Sequence, residues 1–194
     1  MSEKEIVHFY PTTQQEWRDW LEKNHRTKDA VWLIQYKKNS GKPSVNWSDA
    51  VDEALCFGWI DSKAVSIDEI SFKHYYCKRK PTSTWSKINK DKVERLMANN
   101  LMAEAGLACI EIAKQNGTWT ILDDVEELII PKDLEAAFRK QKGSKKYFRS
   151  LSQSRQKFFL QWIVLAKQPT TRQKRIDEVT GMFLKEIDNI PEQK

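Results

Sequence analysis

A chain of 194 residues that is 40% hydrophobic, 11% aromatic and 31% charged can bury a core as one large domain or two small ones. Its mean hydropathy of −0.69 and the absence of any apolar run near the ~18 residues of a membrane helix exclude membrane insertion by a helix. Its net charge of +6 sits unevenly: residues 1–80 carry 13 Lys/Arg against 12 Asp/Glu, residues 81–130 carry 5 against 8, and residues 131–194 carry 15 against 7. The basic excess of the last third permits a polyanionic partner without requiring one.

Met1-Ser2-Glu3-Lys4-Glu5 has no apolar core of the kind a secretory leader needs, so a cytoplasmic location is expected. Ile6 to Tyr10 reads as a short strand. Thr13-x-x-Glu16 forms a capping box, and Trp17, Trp20 and Leu21 follow at helical spacing. Residues 31–36 form a continuous apolar strand, and Ser40-Gly41-Lys42-Pro43 a turn. Ser48 is placed to cap a second helix with Val51, Ala54 and Leu55 inward, which Gly58 stops. Residues 60–65 and 70–78 read as strands joined at Ile67-Asp68-Glu69.

After Pro81 the pattern turns helical. A helix is predicted from about Asn89 with Val93, Leu96 and Met97 inward. Another spans Ala103 to Gln115 with Leu107, Ile110 and Ala113 inward. Residues 118–130 read as a less ordered connector, and Pro131 as the first turn of a helix holding Leu134 and Phe138. A long helical stretch covers residues 144–167, with a break expected near Ser152-Gln153-Ser154, and a last helix covers 171–187. The fold class that follows is α+β: an N-terminal mixed or antiparallel sheet with helices over residues 1–85, then a C-terminal helical bundle over 86–194, the two packed as one unit.

Two blocks carry more fixed polar and aromatic residues than a core needs. They are Glu53-Ala54-Leu55-Cys56-Phe57-Gly58-Trp59-Ile60-Asp61 and Arg79-Lys80-Pro81-x-Ser83-x-Trp85-Ser86-Lys87-x-Asn89. With Arg95-Leu96, Met102, Ala105-Gly106, Ser154-Arg155, Trp162-Ile163 and Thr171-Arg172-x-x-Arg175-Ile176, they make the chain resemble the YdeI/OmpD-associated, or bacteriocin-protection, family over residues 8–180. Asn100-Leu101 stands where that pattern has Gly-Arg. The resemblance implies a cytoplasmic bacterial protein with an α+β N-terminal part and a helical C-terminal part. It transfers no catalytic residue, and a protection phenotype would arise indirectly, through stress response or envelope regulation.

The second block leads hydroxyls and cations into a helix start, where free N–H groups and the positive dipole end suit an anion. Trp59, Asp61, Arg79, Lys80, Ser83, Trp85, Ser86, Lys87 and Asn89 therefore form the candidate ligand site, with Arg79 as bidentate contact and Trp85 as stacking surface. The competing reading makes Ser86 or Asn89 a cap and Trp85 a core residue. Asp61 is either an acid/base, a cation ligand, a partner of Arg79 or a turn-fixing carboxylate. Cys56, Cys77 and Cys109 include no C-x-x-C pair, which predicts reduced thiols and no zinc site. His74 reads as a satisfied core histidine.

No G-x-G-x-x-G, G-x-x-x-x-G-K-[ST], H-E-x-x-H or G-x-S-x-G pattern exists, so no cofactor or metal is expected. On a helical wheel started at Tyr147, Leu151, Phe158, Trp162 and Leu165 form one apolar arc. Arg155 falls inside that arc, which predicts a buried ion pair. Arg172 and Arg175 either join the anion site or face water. The leading reading is a non-catalytic protein that binds a small anion or an acidic partner surface. An enzyme using Asp61, and a nucleic-acid binder using the basic C-terminal helices, are the alternatives; the oligomeric state is open.

Overall fold

The computed structural model describes residues 6–188, with side chains through residue 184. Residues 1–5, on which the leader reading rests, lie outside the described residues. The fold is α+β, with a four-stranded mixed sheet and helices at the N-terminus and helices alone after it. Contacts divide the chain after Trp119. Helices α3 (Lys87–Ala98) and α4 (Glu104–Gln115) thus belong with the sheet, whereas the sequence pattern changes character at Pro81.

In the first unit the sheet order is β1-β2-β4-β3, from β1 (His8–Phe9), β2 (Ala30–Tyr36), β3 (Trp59–Ser66) and β4 (Ser71–Lys78). β1 runs parallel to β2, and the other pairs are antiparallel. Alternation along β2 buries Val31, Leu33 and Gln35 on one face. That face meets α1 (Gln14–Asn24) and α2 (Trp47–Cys56), through Trp17 and Leu21 of α1 and residues 50–56 of α2.

Thr13 caps α1 as expected, its hydroxyl accepting the Glu16 N–H at 3.2 Å. The return bond from Glu16 reaches the N–H of Thr12 rather than that of Thr13. α2 is capped by Asn46, two residues before the expected Ser48, because its carboxamide oxygen accepts the Asp49 N–H at 2.9 Å.

In α3, Val93 and Leu96 are buried, but Met97 is 44% exposed. In α4, Ile110 and Ala113 point inward, and the third inward position is Gly106 rather than Leu107. A side chain at 106 would collide with α2: a Cβ there meets the Cys56 carbonyl oxygen at 2.3 Å. The Ala103 N–H donates to that same oxygen at 3.0 Å.

The second unit is built from α5 (Asp123–Glu126), α6 (Lys132–Lys140), α7 (Ser144–Ser150), α8 (Gln153–Val164) and α9 (Pro169–Asp188). The stretch read as a connector contains α5, which places Val125 in the core. Leu134, Phe138, Phe148, Phe159, Leu160, Ile163, Ile176, Val179 and Phe183 make that core. Among the described residues no helix is long and apolar enough to cross a membrane.

The expected break between α7 and α8 is present, with Ser152 capping α8 through the Arg155 N–H. It also resets the helical phase. Phe158, assigned inward on an unbroken wheel, is 64% exposed, and Phe159 is buried instead. Arg155, expected in a buried ion pair, is for the same reason exposed in the first turn of α8, and no ion pair of its side chain is present among the described residues.

Candidate functional site

Gly58 creates the corner on which the site is built. α2 ends at Cys56, and Gly58 turns the chain at φ 72° into β3. A Cβ there would stand 3.0 Å from the Ala105 carbonyl oxygen of α4, so the corner can pass under α4 only without a side chain. The Arg79 N–H donates to the Gly58 carbonyl at 2.9 Å, which fixes the residue after β4 beside this corner.

Trp59 and Arg79 then share the wall of a cavity of about 350 Å3. Phe57, Pro81, Ala105, Ala108, Cys109 and Ile112 supply apolar wall, and His25, Arg26 and Lys78 are its other nitrogen-bearing residues. No aspartate or glutamate lines it.

Arg79 is only 9% exposed, yet among the described residues no carboxylate pairs with it. Its guanidinium lies flat against Trp85, with Cζ 3.6 Å from the ring centroid. One Nη donates to the Thr84 carbonyl at 2.8 Å, and the buried Nε has no acceptor. Burial pushes its pKa down to about 10, opposed by the nearby Cys109 and Cys77 thiols and Asp61. The indole N–H of Trp59, itself 1% exposed, is also without an acceptor. The other two cations of the wall have partners: Lys78 meets Asp29 at 3.2 Å, and Arg26 meets Glu104 at 3.5 Å.

The remaining predicted site residues have local roles. Trp85 is buried against Trp119, ring centroids 4.9 Å apart. Ser83 closes a turn, its hydroxyl accepting the Lys80 N–H at 3.2 Å. Ser86 caps α3 by accepting the Asn89 N–H at 3.3 Å, so the helix start is satisfied from within. Lys80 and Lys87 are exposed. Asp61 lies opposite Tyr76 in the sheet and accepts the Trp47 indole N–H at 2.9 Å. It neither lines the cavity nor binds Arg79. The structure therefore places Trp59 and Arg79 in the cavity wall, with Trp85 stacked on Arg79, and leaves Asp61, Lys80, Ser83, Ser86, Lys87 and Asn89 outside it.

His74 is a half-buried histidine whose Nδ1 meets the Gln35 carboxamide oxygen at 2.6 Å, and burial lowers its pKa. The Cys56 thiol is pushed up to about 11 by burial and by Glu53, the reverse of an activated nucleophile. Burial also raises Cys109 and Cys77. Among the described residues no group of three or more His, Cys, Asp or Glu is placed to hold a metal.

In the second unit Arg172 pairs with Asp133 at 2.5 Å, and Arg175 lies over Trp162, 5.3 Å from its ring centroid. The basic helices hold further ion pairs, Lys145–Glu135 and Lys157–Glu126, both 2.6 Å. Phe138, Phe148 and Phe159 are core and offer no stacking surface.

Sequence reasoning missed the α4 side of the cavity. Its signal was the run of small residues Ala105-Gly106 and Ala108-Cys109, which lets a helix approach closely. It also missed a buried ionic corner under α2. There Asp52 meets Lys92 at 2.6 Å and Arg95 at 2.5 Å, and Glu53 meets Arg18 at 2.8 Å and the Gln14 amide at 2.6 Å.

Residues 9–109, more than half of the chain and the whole of this site apart from Ile112, match the model of a family described as a domain of unknown function (DUF8412). The chain belongs to that family. Residues 127–185 match a second model, described as Bacteriocin-protection, YdeI or OmpD-Associated. The resemblance to the bacteriocin-protection family thus holds in the helical second unit, while both sequence blocks fall in the DUF8412 region. No curated protein and no solved structure gives a significant match.

Proposed function

We propose that this is a cytoplasmic, non-catalytic binding protein of the bacteriocin-protection type, and that it holds a small anion against Arg79. One observation carries the reading. Among the described residues, a guanidinium withdrawn from water, stacked on Trp85 and without a carboxylate stands in the wall of a cavity that no acidic residue lines. A buried charge without a partner is costly, and folded proteins pair such groups or reserve them for a ligand. The burial of Arg79 favours a small anion over an acidic protein surface, which would have to project a single carboxylate to reach it.

An enzyme using Asp61 is less well supported, because that carboxylate is engaged by Trp47 and lies outside the cavity wall. Nucleic-acid binding by the C-terminal helices loses support from their aromatics, which are mostly core, and from cations that already hold carboxylates.

Thermal unfolding of the purified chain against phosphates, nucleotides and carboxylates tests the reading. Stabilisation by one anion class, absent in Arg79→Met, is the expected result. Equal responses in wild type and variant would overturn it.

A further inference from the structure

We infer that the ligand of the Arg79 cavity is an organic monocarboxylate with a compact apolar body, of the size of benzoate, phenylacetate or isovalerate. The inference rests on the anion-binding reading of Arg79 and specifies its ligand.

Charge sets the first constraint. Lys78 and Arg26 meet Asp29 and Glu104 in solvent-exposed pairs, whereas Arg79 is the buried cation of the wall and, among the described residues, has no carboxylate. A monoanion matches that single charge. A phosphate dianion would bring a second charge beside the buried guanidinium, and the other cations of the wall, Lys78 and Arg26, are solvent-exposed and already paired. Planar carboxylate oxygens also suit a guanidinium that is stacked on Trp85 through one face and carries its N–H donors in its plane.

The wall sets the second constraint. Beyond the nitrogen donors it is apolar: Phe57, Trp59, Pro81, Ala108 and Ile112. A chamber of about 350 Å3 is far larger than a bare anion and falls at the small end of organic-ligand pockets. Filling it with hydrocarbon removes apolar surface of ligand and wall from water, the main driving force available there. The unpartnered N–H groups of Arg79 and Trp59 are closed to solvent, so an acceptor meets them only when the wall adjusts around a bound body. Inorganic phosphate or acetate has no body with which to drive that adjustment.

Small residues keep the chamber open. Ala108 is exposed at the cavity rim on α4, so a large side chain there can occupy the chamber without entering the core.

Titration calorimetry on the full chain is the test, with benzoate, phenylacetate, isovalerate, acetate, inorganic phosphate and benzyl alcohol as probes. At least one of the three apolar carboxylates should bind about tenfold or more tighter than acetate and phosphate, and tighter than uncharged benzyl alcohol by a similar factor. Ala108→Trp should abolish that advantage over acetate. Arg79→Met should remove binding while its unfolding transition stays cooperative, and Arg79→Lys should retain a weakened fraction. Binding of phosphate or acetate through Arg79 with no gain from an apolar body would overturn this inference and leave the anion reading standing. Binding of benzyl alcohol as tight as benzoate, or no Arg79-dependent binding by any probe, would overturn both.

Discussion

Two buried charged corners of the first unit follow opposite rules. Under α2, Asp52 and Glu53 are almost fully buried, and each is closed by cations from other helices, Lys92 and Arg95 for one and Arg18 for the other. Beside the Gly58 corner, Arg79 is buried to nearly the same degree and closed by none. The difference teaches which charges the fold uses for itself. A paired corner ties elements together, and removing one member strands the rest. An unpaired corner weakens the folded state and needs another source of benefit.

Substitutions can break or sharpen that contrast. Asp52→Ala leaves the largely buried Lys92 without its carboxylate, while the half-exposed Arg95 returns to water, and should cost about 2 kcal/mol or more in urea unfolding. Arg79→Met removes an uncompensated cation while keeping an apolar contact with Trp85, so the unliganded protein should change by about 1 kcal/mol or less. If Arg79→Met costs as much as Asp52→Ala, Arg79 is a structural element and the contrast fails.

A smaller effect is expected from His74, a half-buried titratable group whose burial disfavours the charged form. Burial depresses its folded pKa, so the unfolded chain binds the proton first. Stability should therefore fall as pH drops below the unfolded value of about 6.5 and level off below the folded value. His74→Gln should flatten that part of the stability–pH profile.

Asp133 should give the smallest change. Its hydrogen bond to Arg172 lowers its folded pKa, so this contribution is present above the unfolded carboxylate value and is lost as pH falls through the folded one. The carboxylate is 40% exposed, and Asp133→Asn should cost under about 1 kcal/mol by denaturant midpoint.

What the sequence disclosed depended on how local the physics was. Thr13 and its helix, the strand ending at Tyr36, the buried Leu134 and Phe138 and the break before α8 all rest on signals within one or two turns, and all were readable. The errors arose where a local rule had competitors or was carried too far. Asn46 displaced Ser48 as cap because either can accept from the next turn. The wheel failed for Phe158 and Arg155 because it ran through the break. Within the site, Trp59, Arg79 and Trp85 stood out as residue types. That Arg79 stacks on Trp85, while Asp61 turns to Trp47, depends on strand register and on α4, which no short window contains. The Asp52 and Glu53 partners lie 35 to 43 positions away in the chain and left no local trace.

Gly106 has a consequence for descent. With its Cβ position 2.3 Å from the Cys56 oxygen, any replacement must part α4 from α2 and carry Ala105, Ala108 and Cys109 away from the cavity. Gly58 is held from the other side of the same contact. The two glycines and Arg79 should thus be inherited together or lost together. A relative in which one of the three differs should have a closed chamber and be free to vary the other two, so this triplet should separate members that retain the pocket from members that keep only its scaffold.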